Sequence, residues 1–109
     1  MKLHNVCKLD DIVPNTGVCA LVDGRQVAVF RVASGLSDDH VYAIGNRDPF
    51  SGANVLSRGI VGDLNGELVV ASPVYKQHFS LLDGRCIEDA SVSVPVYRTL
   101  LDGADVVVL

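Results

Sequence analysis

The chain has only three cysteines, Cys7, Cys19 and Cys86, and no Cys-x-x-Cys pair among them. That odd, dispersed set excludes a disulfide framework and a structural zinc site, which need paired or clustered thiols. Each cysteine lies beside apolar residues, as in Gly17-Val18-Cys19-Ala20-Leu21, so buried thiols in a reducing compartment are expected. Cations are also scarce. Nine Lys and Arg are scattered from Lys2 to Arg98 against thirteen Asp and Glu, a net charge of −4. Phosphate contacts dominate nucleic-acid affinity and no cluster here supplies them, so no nucleic-acid partner is expected. Long apolar runs are missing too. Met1 to Asn5 leads into no signal-peptide core, and Val106-Val107-Val108-Leu109 is far too short to span a bilayer. The expectation is a soluble, cytoplasmic protein with no membrane association. No stretch of ten or more residues carries helical periodicity. Asp10-Asp11-Ile12-Val13-Pro14 offers at most one helical turn, halted before Pro14.

What is present is a set of turn signals. Asp23-Gly24, Asn65-Gly66, Asp83-Gly84 and Asp102-Gly103 each stand between apolar or alternating segments. Such dipeptides accept the positive φ that two-residue hairpin turns require. Gly59-Ile60-Val61-Gly62-Asp63-Leu64 is expected to pair with Glu67-Leu68-Val69-Val70-Ala71 across the Asn65-Gly66 turn. His78-Phe79-Ser80-Leu81-Leu82 is expected to pair with Arg85-Cys86-Ile87. Ser91 to Tyr97 alternates, with Pro95 marking an edge or bulge, and Ala104 to Leu109 is expected to return antiparallel to it. Strand patterns also cover Gln26 to Val32 and Val41 to Ile44. Ser34 to Asp39 reads as a polar hairpin loop, and Arg47 to Arg58 as a longer, functional one. At 109 residues, with 49% apolar and 20% charged, the chain suits a single domain over 1–109. A domain of this size buries roughly 65% of the surface it exposes unfolded, enough for one core without staples. The predicted class is all-β, a two-sheet β-sandwich or partial barrel whose hairpin loops form a tip.

Residues for chemistry are sparse. His4, His40 and His78 have neither helical i, i+4 nor Cys-x-x-His spacing, so no histidine metal set is expected. Ser72 lacks a Gly-x-Ser-x-Gly context, and the glycines form no Gly-x-Gly-x-x-Gly or Walker pattern. No catalytic residue, bound cofactor or metal is therefore expected in this chain.

Two Pro-containing segments, Asp48-Pro49-Phe50 and Ser72-Pro73-Val74-Tyr75, stand where a Rieske protein carries Cys-Pro-His and Cys-Pro-x-His. The order of pieces resembles the Rieske domain. Val41 to Ile44 leads into the first loop, then come Leu56-Ser57-Arg58-Gly59, a hairpin, the second loop, and Phe79 to Gly84. A Rieske [2Fe–2S] centre takes two thiolates on one iron and two imidazoles on the other. Here those positions read Asp48, Phe50, Ser72 and Tyr75, and oxygen donors and a phenyl ring match that centre poorly. Within the fold, the chain resembles the small subunit of the cytoplasmic NAD(P)H-dependent assimilatory nitrite reductase. Val6 to Ile12 with Thr16 to Leu21, Asp48 to Phe50 with Val55 to Gly59, and Gly66 to Asp89 carry that likeness.

The resemblance implies a partner rather than a chemistry. The family's large subunit carries FAD, an iron–sulfur cluster and sirohaem, and reduces nitrite to ammonium in nitrate assimilation. The small subunit is Rieske-like and supports it. Arg58, Tyr75 and Lys76 are candidates for the contact, because aromatics and Arg are enriched at interface hot spots. Phe50 and Tyr75 can alternatively fill the volume a cluster would take. The rival reading is a Rieske-type ferredoxin passing electrons to an oxygenase, which demands the Cys and His ligands these loops lack.

Overall fold

In the computed structural model, residues 2–33 and 39–109 are described. They form ten strands: β1 (His4–Lys8), β2 (Thr16–Val22), β3 (Arg25–Ala33), β4 (Asp39–Gly45), β5 (Ile60–Leu64), β6 (Glu67–Ala71), β7 (His78–Ser80), β8 (Val96–Tyr97), β9 (Thr99–Asp102) and β10 (Asp105–Val108). Two single 3-10 turns, Leu9–Asp11 and Leu56–Arg58, are the helical content of this part of the chain. The expected all-β class holds, and the first of these turns stands where one was expected. No helix among the described residues is long and apolar enough to cross a membrane.

The strands divide into three antiparallel sheets rather than two, ordered β1-β10-β9, β2-β3-β4-β8 and β5-β6-β7. The reason lies in β3. Its run Val27-Ala28-Val29-Phe30 is buried throughout, so both faces of the central sheet need a cover. Ala28, Phe30 and Val32, with Ile44 of β4, pack against Val70 and Phe79 of the third sheet. Val27 and Val29, with Val41 and Ala43, pack against Val106 and Val108 of β10. Alternate side chains point to opposite faces, so one apolar strand serves two cores.

Two of the four expected hairpin turns have positive φ at both central residues, as the I′ type requires. They are Asp23-Gly24 (φ 49° and 75°) and Asn65-Gly66 (φ 53° and 87°). At the β9–β10 turn the central pair is Gly103-Ala104, and only Gly103 has positive φ, the pattern of a II′ turn. The segment after Asp83 departs furthest from expectation. Phe79 meets Cys86 in a single bridge, and of Ser91 to Tyr97 only β8 is strand. Val94 N–H donates to Gly84 O (2.9 Å) and Pro95 O accepts from Gly45 N–H (2.9 Å). This stretch therefore ties the central sheet to the Gly84 turn, and β10 takes β9 as its hairpin partner instead. Of the expected Ser34 to Asp39 loop, residues 34–38 lie outside the described part.

Arg31 fastens the first 3-10 turn to β3. Its Nη1 donates to Leu9 O (3.3 Å) and Ile12 O (3.0 Å), while Nε and Nη2 donate to Asp39 (2.9 and 3.2 Å). The hydrogen bonds from Arg31 hold the Asp39 carboxyl below its ordinary range.

Gly84 carries the sharpest steric demand. Its φ is 77°, and a Cβ placed there falls 2.2 Å from Val94 O. Gly66 has a similar φ of 87° but opens onto free space. Gly66→Ala is expected to cost about 1 kcal/mol from backbone strain alone. Gly84→Ala must also displace backbone and is expected to cost more than about 2 kcal/mol. Urea melts of the two variants check this, and equal midpoints would refute it.

Candidate functional site at the paired loops

Loop one (residues 46–58) leaves the end of β4 and loop two (residues 72–77) joins β6 to β7. Each is closed by its own backbone. Asp48 N–H donates to Ala53 O (2.8 Å) and Gly52 N–H to Asp48 O (2.7 Å). Ser72 N–H donates to Gln77 O (2.9 Å) and Lys76 N–H to Ser72 O (3.1 Å). A left-handed Lys76, φ 68°, makes the second turn tight.

Two of the four expected ligand positions, 48 and 72, meet directly. Ser72 Oγ donates to Asp48 Oδ2 at 2.5 Å, and both residues are fully buried. The other carboxylate oxygen accepts from the amides of Phe50 (2.8 Å) and Ser51 (3.4 Å). Val74 N–H in turn donates to Ser72 Oγ (3.3 Å). Burial pushes the Asp48 carboxyl up, but the Ser72 hydroxyl and the backbone amides outweigh it and hold it below its ordinary value. Asp48 is thus the clasp that joins the loops, a stronger form of the loop-capping role its position before Pro49 suggests.

The two outer positions stay at the surface. Phe50 is 36% exposed and Tyr75 61%. Phe50 stacks at a tilt on the buried Phe79, with ring centroids 6.2 Å apart. It therefore combines the two roles open to it, part packing and part surface, while Tyr75 is mainly surface. Arg58 and Lys76 are exposed, and neither pairs with a carboxylate among the described residues. Val74 (42% exposed) and Ile60 (75%), which sits opposite Ala71 at the foot of loop two, are further exposed apolar residues.

Asn46 escapes sequence reasoning, and so does Glu88 as the partner of His78. Asn46 is 2% exposed and holds loop one from beneath. Its Nδ2 reaches Asn54 O (3.1 Å) and Gln26 Oε1 (3.2 Å), and its Oδ1 accepts from Ser57 N–H (2.7 Å). The available signal is a Gly-Asn step at the end of an apolar strand. His78 is fixed by Glu88, which accepts from its backbone N–H (2.8 Å) and meets its Nδ1 (2.6 Å). Burial raises the Glu88 carboxyl, and the His78 hydrogen bonds bring it below its ordinary value.

These residues do not fit a [2Fe–2S] cluster. Asp48 and Ser72 are spent on one another, Phe50 has no donor atom, and no thiol or imidazole belongs to the four positions. Of the three cysteines expected to be buried, Cys19 is exposed and Cys7 half-buried, while Cys86 is buried beside β7, where burial pushes its thiol up, away from the thiolate a metal needs. Among the described residues no three His, Cys, Asp or Glu stand together as a metal-binding group.

The sequence profile of the Rieske-like [2Fe-2S] domain matches residues 2–109. The fold and loops thus define a Rieske-like domain whose cluster positions carry other residues. The nitrite reductase (NADH) small subunit of Salmonella typhimurium is 56% identical over 94 residues, 86% of this chain and 84% of that protein. The NMR structure of the Escherichia coli protein NirD superposes with a TM-score of 0.87 at 47% identity, covering 98% of this chain and 94% of that one. The chain belongs to the family of nitrite reductase small subunits. Two further likenesses frame it. The Klebsiella oxytoca nitrite reductase [NAD(P)H] large subunit is 41% identical over 101 residues, 93% of this chain but 10% of that protein. The ferredoxin of carbazole 1,9a-dioxygenase from Nocardioides aromaticivorans gives a TM-score of 0.80 at 27% identity, covering 99% of this chain and 97% of that one.

Proposed function

We propose that this chain, a single domain over residues 1–109, is the non-catalytic small subunit of a cytoplasmic NAD(P)H nitrite reductase. In this reading it binds a large subunit that carries FAD, sirohaem and an iron–sulfur cluster and reduces nitrite to ammonium in nitrate assimilation. The observation that carries the reading is the clasp: the positions where a Rieske carrier holds its electron-transfer group are closed by the Asp48–Ser72 hydrogen bond. The Klebsiella large subunit, which includes a stretch like this chain, supports the choice of partner. A small subunit of this kind acts by binding the folded, competent partner and so stabilising it. No nucleic acid or membrane enters this function.

The contact is assigned to Arg58, Tyr75 and Lys76. All three are exposed, and none is committed to an internal ion pair. The isolated chain is expected neither to oxidise NAD(P)H nor to reduce nitrite, and to raise the activity or thermal stability of the large subunit when added. Arg58→Glu and Tyr75→Ala are expected to weaken assembly roughly tenfold to a thousandfold, the range for interface anchors. Pull-downs with variants of unchanged melting temperature test this. Undiminished binding moves the contact elsewhere, and no binding by the unaltered chain sinks the assignment. The likeness to a dioxygenase ferredoxin favours an electron carrier as the second reading, and a brown purified protein with a visible iron–sulfur spectrum would select it.

A further inference from the structure

A cavity of about 400 Å³ opens between the start of β3, the first turn of loop one and segment 93–95. Two arginines line it, Arg25 and Arg47, and neither pairs with a carboxylate among the described residues. The chain has thirteen Asp and Glu against nine Lys and Arg, yet no acidic residue lines this cavity. Two cations on the lining of one cavity, with no acidic residue in that lining, leave a positive field that an anion would neutralise.

The neutral groups point the same way. Gln26 Oε1 is occupied, accepting from Asn46 Nδ2 (3.2 Å) and the Cys19 thiol (3.6 Å). That fixes the amide oxygen, and the Nε2 hydrogens of Gln26, itself a lining residue, have no acceptor among the described residues. Ser93 and Tyr97, which also line the cavity, each carry a hydroxyl able to donate. The remaining wall is apolar, formed by Pro49, Val94 and Pro95. A bare ion would leave that wall wet, and the volume falls in the range of sites for small organic ligands, about 300–1,000 Å³.

We propose that this cavity binds a small organic oxyanion, a phosphate or carboxylate carried on a compact ring. The Arg25 and Arg47 guanidinium groups hold the oxyanion, as their planar forks suit both groups. The ring lies against the prolines and Tyr97. The site uses none of Arg58, Tyr75 or Lys76, so it stands or falls separately from the subunit assignment.

The test is an NMR titration of the ¹⁵N-labelled full chain with AMP for the phosphate class, benzoate for the carboxylate class, and adenosine and inorganic phosphate as the separated halves. Saturable shifts are expected at the amides of Gln26, Asn46 and Arg47 with AMP or benzoate, whichever group the site takes. Each half alone should bind about tenfold more weakly, and Arg25→Gln or Arg47→Gln should weaken the better probe by about tenfold. Arg98→Gln, an exposed cation outside the cavity, should leave binding unchanged, and matched melting temperatures confirm that each variant is folded. The inference is overturned if neither probe saturates up to about 20 mM, if Arg98→Gln weakens binding as much as Arg47→Gln, or if inorganic phosphate binds as tightly as AMP and benzoate fails to bind, which leaves an adventitious ion only.

Discussion

Asp48→Ala is expected to destabilise the domain by about 3–4 kcal/mol, because it strands three donors in a buried site. For a domain of this length that is a fall of roughly 15 °C in melting temperature. The Ser72 hydroxyl and the Phe50 and Ser51 amides all donate to this carboxylate and have no other acceptor among the described residues. The damage should centre on the loops, since the clasp is the side-chain bond that joins them. Hydrogen exchange is expected to speed up first at Phe50, Ser51 and Val74. Asp48→Asn offers a control: its amide oxygen can still accept from the backbone, so it should cost less. It also removes the titration. Asp48 is held below its ordinary value in the folded state, so its stabilisation is present above about pH 4. It is lost as the pH falls through the folded value. The gap between the unaltered chain and Asp48→Asn should therefore narrow in acid, and a gap that stays constant from pH 7 to pH 2.5 would show that the carboxylate charge is not what the loops hold.

The local parts of this fold were legible in the sequence because their causes are local. Asp23-Gly24 and Asn65-Gly66 announce I′ turns, since few residue pairs tolerate φ near 49–87° twice in succession. The pairing of β5 with β6 follows at once, because the turn sets the register. The four cluster positions were legible by likeness, and the structure places two of them together in the interior and two at the surface. What the sequence did not disclose depends on partners far along the chain. Val94 and Pro95 look like strand until Gly84 and Gly45 claim their backbone groups. Thr99–Asp102 became a strand because β10 lay free to pair with it. The third sheet was missed because the apolar run in β3 does not say whether one or both faces are covered. Asn46 and Arg31 look like ordinary polar residues, and only their acceptors, the nearest at sequence separations of eight, make them structural.

Restoring four side chains is expected to turn this domain into an iron–sulfur protein. Asp48→Cys, Phe50→His, Ser72→Cys and Tyr75→His together re-create the Cys-Pro-His and Cys-Pro-x-His pair on the two loops that carry those positions in this fold. A Rieske centre places its two thiolates on one iron and its two imidazoles on the other. Positions 48 and 72 are fully buried and in contact here, as the thiolate pair would need to be. Positions 50 and 75 are 36% and 61% exposed, as suits the imidazole side. Removing the Phe50 ring also clears space in front of Phe79. Without metal the variant loses the clasp and should be less stable than the parent, so anaerobic reconstitution should raise its melting temperature as well as its colour. The expected result is close to two irons and two acid-labile sulfides per chain, with visible absorption that the parent does not acquire under the same treatment. Asp48→Cys with Ser72→Cys alone should bind less iron, since the second metal then has no protein donor. A quadruple variant that folds but stays colourless would mean that the loops have closed over the site, and that more than the four donors separates this chain from an electron carrier.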